Sequence, residues 1–501
     1  MDGSHWINMR ALLVELRGRG HEVTVLRSSS SLYIAEEPGL FHSITVPAAG
    51  KSGILEDSEM VSRFVQEMLE IHRGGPTWTA FVRNAQAVGE MLRVTHIQQR
   101  ALIRRLFEDP RLMARLGGAG FQLVLTDPFF PTGVMLAHHL QLPVVCNSRW
   151  LSTGNSHALL APSPPSYVPV VGSRFGARMS FLQRLSNVVH YLTSVKLAGS
   201  LVHPEYDELC RRYLGPGASV EGLIRRADLW LMRTDFVFDF PRPTMPNVVY
   251  VGGFQCRPPR PLPAELEDFM RSSGPHGVVF MSLGTLVSSL PAYLVQSFAE
   301  AFARLPQKVL WRHIGERPAN LGNNTLLAGW VPQNDVLGHP KTRAFVSHGG
   351  TNGIFEAIYH GVPVLGLPLI FDQFDNLVRL ESRGAAKVLD PTRLDAGQLL
   401  EGLHEVLGQP SYRRGMQRLS GLHRDQPQTP MERAVFWIEF VLRHGGAAHL
   451  RAASADLPWY AYHSLDVAGF AALVGATLAA PALWALRKLY RALRGTKAKQ
   501  S

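Results

Sequence analysis

The chain has 501 residues, 46% hydrophobic and 18% charged, without a low-complexity tract; this is a globular composition too long for one ordinary core, so two domains are expected. The formal charge of +11 does not point to nucleic acid, because the last fifteen residues, RKLYRALRGTKAKQS, hold six of the basic residues and no acid, and no basic stripe with interleaved aromatics appears. Three cysteines, Cys146, Cys210 and Cys256, lie outside any CxxC or Cys/His spacing, which disfavours a disulfide framework and a structural zinc site.

In chain order, DGSHW after Met1 reads as a polar loop, and residues 6–20 have helical spacing that closes at Arg19-Gly20. HEVTVL is a short strand, and the segment from about 55 to 115 is mostly helical. FQLVLTD (121–127) is a buried strand ending on Asp127, and LPVVCNS (142–148) is another. Residues 174–200 form an apolar helix edged with arginine and lysine, either a core helix or one resting on a membrane surface. The Pro-rich stretch 241–263 marks the boundary between an N-terminal domain (1–245) and a C-terminal one (246–450). Beyond it, apolar strands alternate with helices: GVVFMSL, KVLWRH, LLAGWVP, RAFVSH, VPVLGLP and AAKVLD are the strands. Such alternation implies a parallel sheet covered on both faces, with ligands bound beyond the strands' carboxyl ends. Residues 467–486, VAGFAALVGATLAAPALWAL, are twenty uncharged residues, enough to cross about 30 Å of hydrocarbon. The basic tail (487–501) that follows places itself in the cytosol and the bulk of the chain in a lumen. The ending KAKQS resembles a dilysine retrieval signal, and Asn323-Asn324-Thr325 is a glycosylation sequon.

The loops of the C-terminal half carry the chemistry. RAFVSH ends, two glycines allow close approach of a ligand, and a helix begins near Asn352. Free N–H groups and the dipole at such a start suit a phosphate. Ser282-Leu283-Gly284-Thr285 is a second turn of this kind. His348 and Asn352 are donors for phosphate oxygens, flanked by Gly350 and Gly353. Glu356 is an acceptor for ribose hydroxyls, Trp330 offers a flat face for a base and Gln333 a hydrogen-bonding edge. Asp372 and Gln373 suit sugar hydroxyls. Together the set describes a nucleotide-sugar site. P-loop and dinucleotide fingerprints are absent.

Trp330 to Gln373, WVPQNDVLGHPKTRAFVSHGGTNGIFEAIYHGVPVLGLPLIFDQ, resembles the signature of UDP-glycosyltransferases. APSPPSYVP, FMSLGT, VLWRH, the run ERAVFWIEFVLRHGGAAHLR and YHSLDV are similar to the animal membrane-bound branch, the UDP-glucuronosyltransferases. The resemblance covers essentially the whole chain. It implies a GT-B fold of two facing Rossmann-like domains, with the UDP-sugar in the C-terminal domain, a small lipophilic hydroxyl acceptor in the N-terminal one, and final helices crossing back to brace the latter. It further implies that His5 is the catalytic base and Asp127 the carboxylate that orients it. UDP would then leave from the opposite face with inversion, and no metal is needed if Ser282, Arg312, His348, Asn352 and the helix start neutralise the diphosphate. An endoplasmic reticulum membrane protein that pairs with itself or with relatives is also implied. UDP-glucuronic acid is the expected donor, with UDP-glucose, UDP-xylose and UDP-N-acetylglucosamine as alternatives. Relatives have a small residue before the DQ pair where this chain has Phe371.

The family pattern places a signal peptide and a first β-strand ahead of the DGSHW motif. Their absence here leads to the expectation of an N-terminally incomplete gene product, with a slot in the N-terminal sheet and a freed loop at His5. A non-catalytic UDP-sugar-binding relative is the alternative function.

Overall fold

A computed structural model describes residues 3–31, 33–48, 58–73, 78–149, 162–197, 203–284 and 290–497. It divides into two units, residues 1–451 and 452–501. The first half of the larger unit runs α1 (Gly3–Gly18), β1 (Thr24–Ser28), β2 (His42–Val46), α2 (Ser58–Arg73), α3 (Trp78–Phe107), α4 (Pro110–Gly118), β3 (Val124–Thr126), α5 (Thr132–His139), β4 (Val144–Ser148), α6 (Phe181–Leu197), α7 (His203–Leu214), α8 (Val220–Arg225), β5 (Leu229–Met232) and β6 (Val248–Tyr250). The second half runs α9 (Ala264–Arg271), β7 (Val278–Ser282), α10 (Ala292–Ala303), β8 (Lys308–Arg312), β9 (Thr325–Ala328), α11 (Gln333–Leu337), β10 (Thr342–Ser347), α12 (Thr351–His360), β11 (Val364–Gly366), α13 (Gln373–Glu381), β12 (Ala386–Val388), α14 (Ala396–Gly408), α15 (Pro410–Arg424) and α16 (Pro430–His444).

The second half builds one six-stranded parallel sheet in the order β12-β11-β10-β7-β8-β9. Its central strands are apolar along their whole length because helices cover both faces; every residue of Val278–Ser282 is buried. Phe280 and Phe345, register partners on β7 and β10, stack with ring centres 5.2 Å apart. The strand order reverses between β10 and β7, so these two strands form the topological switch point where a crevice opens beyond their carboxyl ends.

The first half holds a four-stranded parallel sheet, β3-β4-β5-β6, and a separate parallel pair, β1-β2. Helix α1 buries Trp6, Met9, Leu12, Leu13 and Leu16 at helical spacing. Helix α16 returns from the second half: Ala434, Val435, Ile438 and Val441 share a core with Leu12, Leu16, Val145, Leu229 and Leu231. This is the brace expected from the family pattern.

Among the described residues β1 pairs with β2 alone and β3 with β4 alone. Residues of both strands line a cavity of about 1140 Å³ with Trp6, Leu13, Leu136 and Ile438. The expected loosening of His5 is not seen: α1 starts at Gly3, so His5 sits on a helical first turn and is buried.

The smaller unit contains α17 (Trp459–Tyr462) and α18 (Leu465–Lys497). Leu465–Arg491 is long and apolar enough to cross a membrane, with Pro481 inside the helix.

Candidate active site

His5 and Asp127 come from elements far apart in sequence. Helix α1 supplies the first, and the residue after β3 supplies the second. His5 Nδ1 is hydrogen-bonded to Asp127 Oδ2, with both residues buried. Asp127 Oδ1 also accepts the Phe129 N–H at 3.0 Å. Arg233, one residue past β5 and likewise buried, donates from Nη2 to Asp127 Oδ2 at 3.1 Å and lies 3.2 Å from His5 Nδ1. Burial pushes the Asp127 carboxyl up, but the His5 ring, its hydrogen bond and the Arg233 guanidinium together hold it at about 2. Asp127 is therefore a fixed carboxylate at neutral pH. A carboxylate on Nδ1 directs Nε2 of the ring toward any substrate.

The glycine turns of the C-terminal half form a cradle around His348. A Cβ on Gly284 would lie 2.7 Å from His348 Nε2, and one on Gly350 would lie 2.5 Å from it. Gly284 also takes a positive φ of 80°, a conformation L side chains avoid. The ring can lodge between the β7 and β10 turns because both positions lack side chains. Arg312, at the end of β8, closes this turn by bonding to the Gly284 carbonyl. Burial, then repulsion from Arg149, holds the His348 imidazole down at about 4, so it is neutral at pH 7. Ser282 is buried at the end of β7. Thr285 lies outside the described residues. Helix α12 begins with Gly350 as its N-cap, which leaves the first backbone N–H groups free of a side-chain cap.

Glu356, on the second turn of α12, accepts a 2.6 Å bond from Gln333 Nε2. Burial, then the nearby Asp335, raises its carboxyl to about 7, against the pull of Gln333. Gln333 thus steers Glu356. Gly353 leaves room for the Gln333 amide, 3.2 Å from where a Cβ would stand. Trp330 is 74% exposed, an open platform. Asp372 Oδ2 accepts from Thr351 Oγ1 (3.2 Å) and Asn376 Nδ2 (2.9 Å). Gln373 is buried, and its side-chain oxygen is committed to the backbone N–H groups of Leu369 and Ile370 at 2.8 and 3.0 Å. Its role on that atom is to shape the loop. Phe371 takes a φ of 56° and stacks on Phe64 of α2, ring centres 5.8 Å apart.

The two clusters meet. Asn8, one turn after His5, donates to Asn352 Oδ1 at 2.8 Å. Arg149 spans the same junction: Nε donates to Thr351 Oγ1 (3.2 Å), Nη1 to Ser4 Oγ (3.4 Å), and Nη2 is 3.5 Å from Asp372 Oδ1. Arg149, Arg233 and Asn8 were not among the sequence-derived candidates. Both arginines stand directly after a strand's last residue, the position where ligand groups gather in parallel sheets, and that placement was the available signal.

A model of the family described as "UDP-glucoronosyl and UDP-glucosyl transferase" matches residues 1–500. UDP-glucuronosyltransferase 2A1 of Rattus norvegicus is 42% identical over 476 residues, 94% of this chain and 89% of that protein. UDP-glucuronosyltransferase 2C1 of Oryctolagus cuniculus is 42% identical over 487 residues, 95% and 94% of the two chains. Among solved structures, spinosyn forosaminyltransferase SpnP superposes with a TM-score of 0.58 at 19% identity, over 88% of this chain and 96% of that one. The calicheamicin glycosyltransferase CalG4 gives 0.54 at 20%, over 87% and 94%. At such identities these two establish the GT-B architecture alone. With a family match along its whole length and relatives at 42% identity, the chain belongs to the UDP-glucuronosyl and UDP-glucosyl transferase family of glycosyltransferases.

Proposed function

We propose that this protein transfers glucuronic acid from its UDP donor to hydroxyl groups of small lipophilic acceptors, with inversion at the anomeric carbon. The observation that carries this reading is the junction of the buried His5–Asp127 pair with the α12 glycine turn through Asn8 and Asn352. His5 Nε2 removes the acceptor proton as the oxygen attacks, and Asp127 stabilises the imidazolium that forms. The uracil rests on Trp330, and Glu356, steered by Gln333, accepts the ribose hydroxyls. The diphosphate lies at the start of α12 against His348 and Asn352, with Ser282, Gly284, Gly350, Gly353 and Arg312 shaping the cradle. Asp372 and the Gln373 loop face the sugar. Arg149, beside Asp372, is the cation that suits a uronate carboxylate, and this favours UDP-glucuronic acid over neutral UDP-sugars. The acceptor occupies the N-terminal half, and α18 anchors the protein in the endoplasmic reticulum membrane with its catalytic part in the lumen and its tail in the cytosol.

A second reading, a UDP-sugar-binding relative without turnover, is favoured by the cavity beside α1. One experiment separates the two. The protein in microsomes is offered a simple phenol with a panel of UDP-sugars, with His5→Ala and His348→Ala as controls. Glucuronide formation lost in both variants supports transfer. UDP binding without product from any donor supports the second reading, and a product dominated by glucose, xylose or N-acetylglucosamine refutes the choice of donor.

A further inference from the structure

Helix α13 begins directly after Asp372, and its first turn carries Asp375, which is buried. Asp375 Oδ2 accepts the Gly172 N–H at 2.8 Å, and Oδ1 accepts the Arg174 N–H at 3.0 Å. The two donors belong to a strap, residues 170–174, in the segment between β4 and α6. Its other end is fixed where Asn187 of α6 accepts the Val170 N–H at 2.8 Å. A buried carboxylate is costly unless its oxygens are bonded. Here burial pushes the carboxyl up, against the pull of Arg379 and of the two N–H groups. An apolar side chain would pack at lower cost, so the strap that Asp375 holds is what accounts for the carboxylate.

The backbone around this contact is strained. Among the described residues four non-glycine positions take a positive φ, and two of them meet the start of α13: Phe371 at 56° and Arg174 at 57°. Such conformations persist only where the surroundings over-determine them. Arg174 is fixed three times. Its N–H bonds to Asp375, its guanidinium lies 3.8 Å over the Phe374 ring, and its Nη2 donates to His72 Nε2 of α2 at 3.1 Å. Phe371 stacks on Phe64 of the same helix α2. The first turn of α13 also reaches Asp372. Asn376, next to Asp375, donates to Asp372 Oδ2 at 2.9 Å and to the Gly349 carbonyl at 3.0 Å. Arg379, one turn on, donates to Asn376 Oδ1 and to Asp239 Oδ1, both at 3.1 Å.

We propose that Asp375 is a positioning residue for the donor sugar: by receiving the strap it fixes the start of α13, and through Asn376 it sets Asp372 against the sugar. The strap comes from the half of the chain that takes the acceptor, so that half also sets the sugar site. This rests on the reading of Asp372 as facing the sugar. The nucleotide contacts at Trp330, Glu356 and His348 stand on other elements. Loosening the strap is therefore expected to weaken binding of a UDP-sugar and to spare that of UDP.

The test is calorimetric titration of the full chain in detergent micelles with UDP and, separately, with UDP-glucuronic acid. UDP binding reports that a variant is folded at the cradle. Asp375→Asn turns one of the two acceptor oxygens into an amide donor that faces an N–H. Gly172→Ala strains the strap from the other side, at a φ of 91°, in open space where a Cβ meets nothing within 4 Å. Each is expected to weaken UDP-glucuronic acid by about tenfold with UDP unchanged. The double variant is expected to be no worse than the single ones, because both act through one contact. Equal loss for the two ligands in both variants, which a merely structural role would give, overturns the proposal. So do additive losses in the double variant, or unchanged UDP-glucuronic acid binding. Asp372→Ala separates the proposal from the reading beneath it. If Asp372→Ala weakens UDP-glucuronic acid selectively and Asp375→Asn does not, the strap proposal alone fails. If Asp372→Ala is not selective, the assignment of Asp372 to the sugar fails, and the proposal with it.

Discussion

Asn8 and Asn352 meet at 2.8 Å, joining the helix that carries His5 to the helix that begins at the glycine turn. The Asn8 amide also donates to the Ser4 carbonyl at 3.0 Å, and the Asn352 amide approaches the same oxygen at 3.4 Å. Base and donor helix are thereby held in one network. Asn8→Ala is expected to cost about 1 kcal/mol of stability and to lower kcat by about 10- to 100-fold through misplacement of His5, with UDP affinity nearly unchanged. Steady-state kinetics with separate UDP-binding measurements decide this, and an unaltered kcat would remove Asn8 from the mechanism.

Arg233 balances Asp127 in a buried site. Arg233→Met removes the guanidinium that balances the buried carboxylate, and kcat is expected to fall by about 100-fold or more while the donor still binds. Arg233→Lys keeps the charge without the planar fork and is expected to recover only part of the loss. The stability that Asp127 contributes is present above the ordinary carboxylate range and is lost as pH falls toward its folded value of about 2. The Met variant, whose Asp127 is held down less firmly, is expected to lose thermal stability earlier on acidification. Melting curves across the acidic range would show it.

Glu356 titrates in the opposite sense. Its carboxyl, raised to about 7 by burial, favours the protonated form in the folded state. The associated stability is present below about pH 4.5 and is lost as pH rises through 7. Ionised Glu356 is the better acceptor for ribose hydroxyls, so donor affinity is expected to rise over the same interval in which stability falls. Glu356→Gln should flatten both dependences, with weaker UDP binding at pH 8. Calorimetric titration at several pH values checks the sign.

The His348 cradle depends on two missing side chains. Gly350→Ala keeps an ordinary backbone conformation, φ −65°, so its effect is the clash with His348 alone, and UDP affinity is expected to drop by about tenfold. Gly284→Ala adds a strained positive φ to the same clash and is expected to be worse for both affinity and folding. If Gly350→Ala bound UDP normally, the cradle would not be the diphosphate site.

Much of this architecture is legible in the sequence. The apolar strand runs of the second half reappear as β7 to β12, because strands buried on both faces need unbroken apolar residues. The glycine turns fall beyond the carboxyl ends of β7 and β10, as expected, and the strand order places these two at the switch point. The start of α1 is not legible: DGSHW is polar and glycine-containing, and the pairing of His5 with Asp127 across 122 positions holds it in place. Arg149 and Arg233 are two among 51 basic residues, and only the tertiary arrangement separates them from the rest.

The gap between β1 and β3 bears on how the protein fails. Among the described residues, strand pairing does not tie the parallel β1–β2 pair to its larger neighbour; side-chain packing through α1 and α16 does. A sheet divided in this way loses the cooperativity that ladder hydrogen bonds impart, and its smaller piece can open locally at a lower free energy than the whole. Helix α1 bridges the two pieces, with Trp6, Met9 and Leu13 packed toward Ile34 and Phe41 and Leu12 and Leu16 toward Val145 and Leu229; opening of the smaller piece therefore frees one flank of the helix that carries His5, while the His348 cradle rests on six continuous strands. Warming should therefore extinguish transfer at temperatures where the nucleotide still binds, so inactivation and unfolding are two separate events for this molecule.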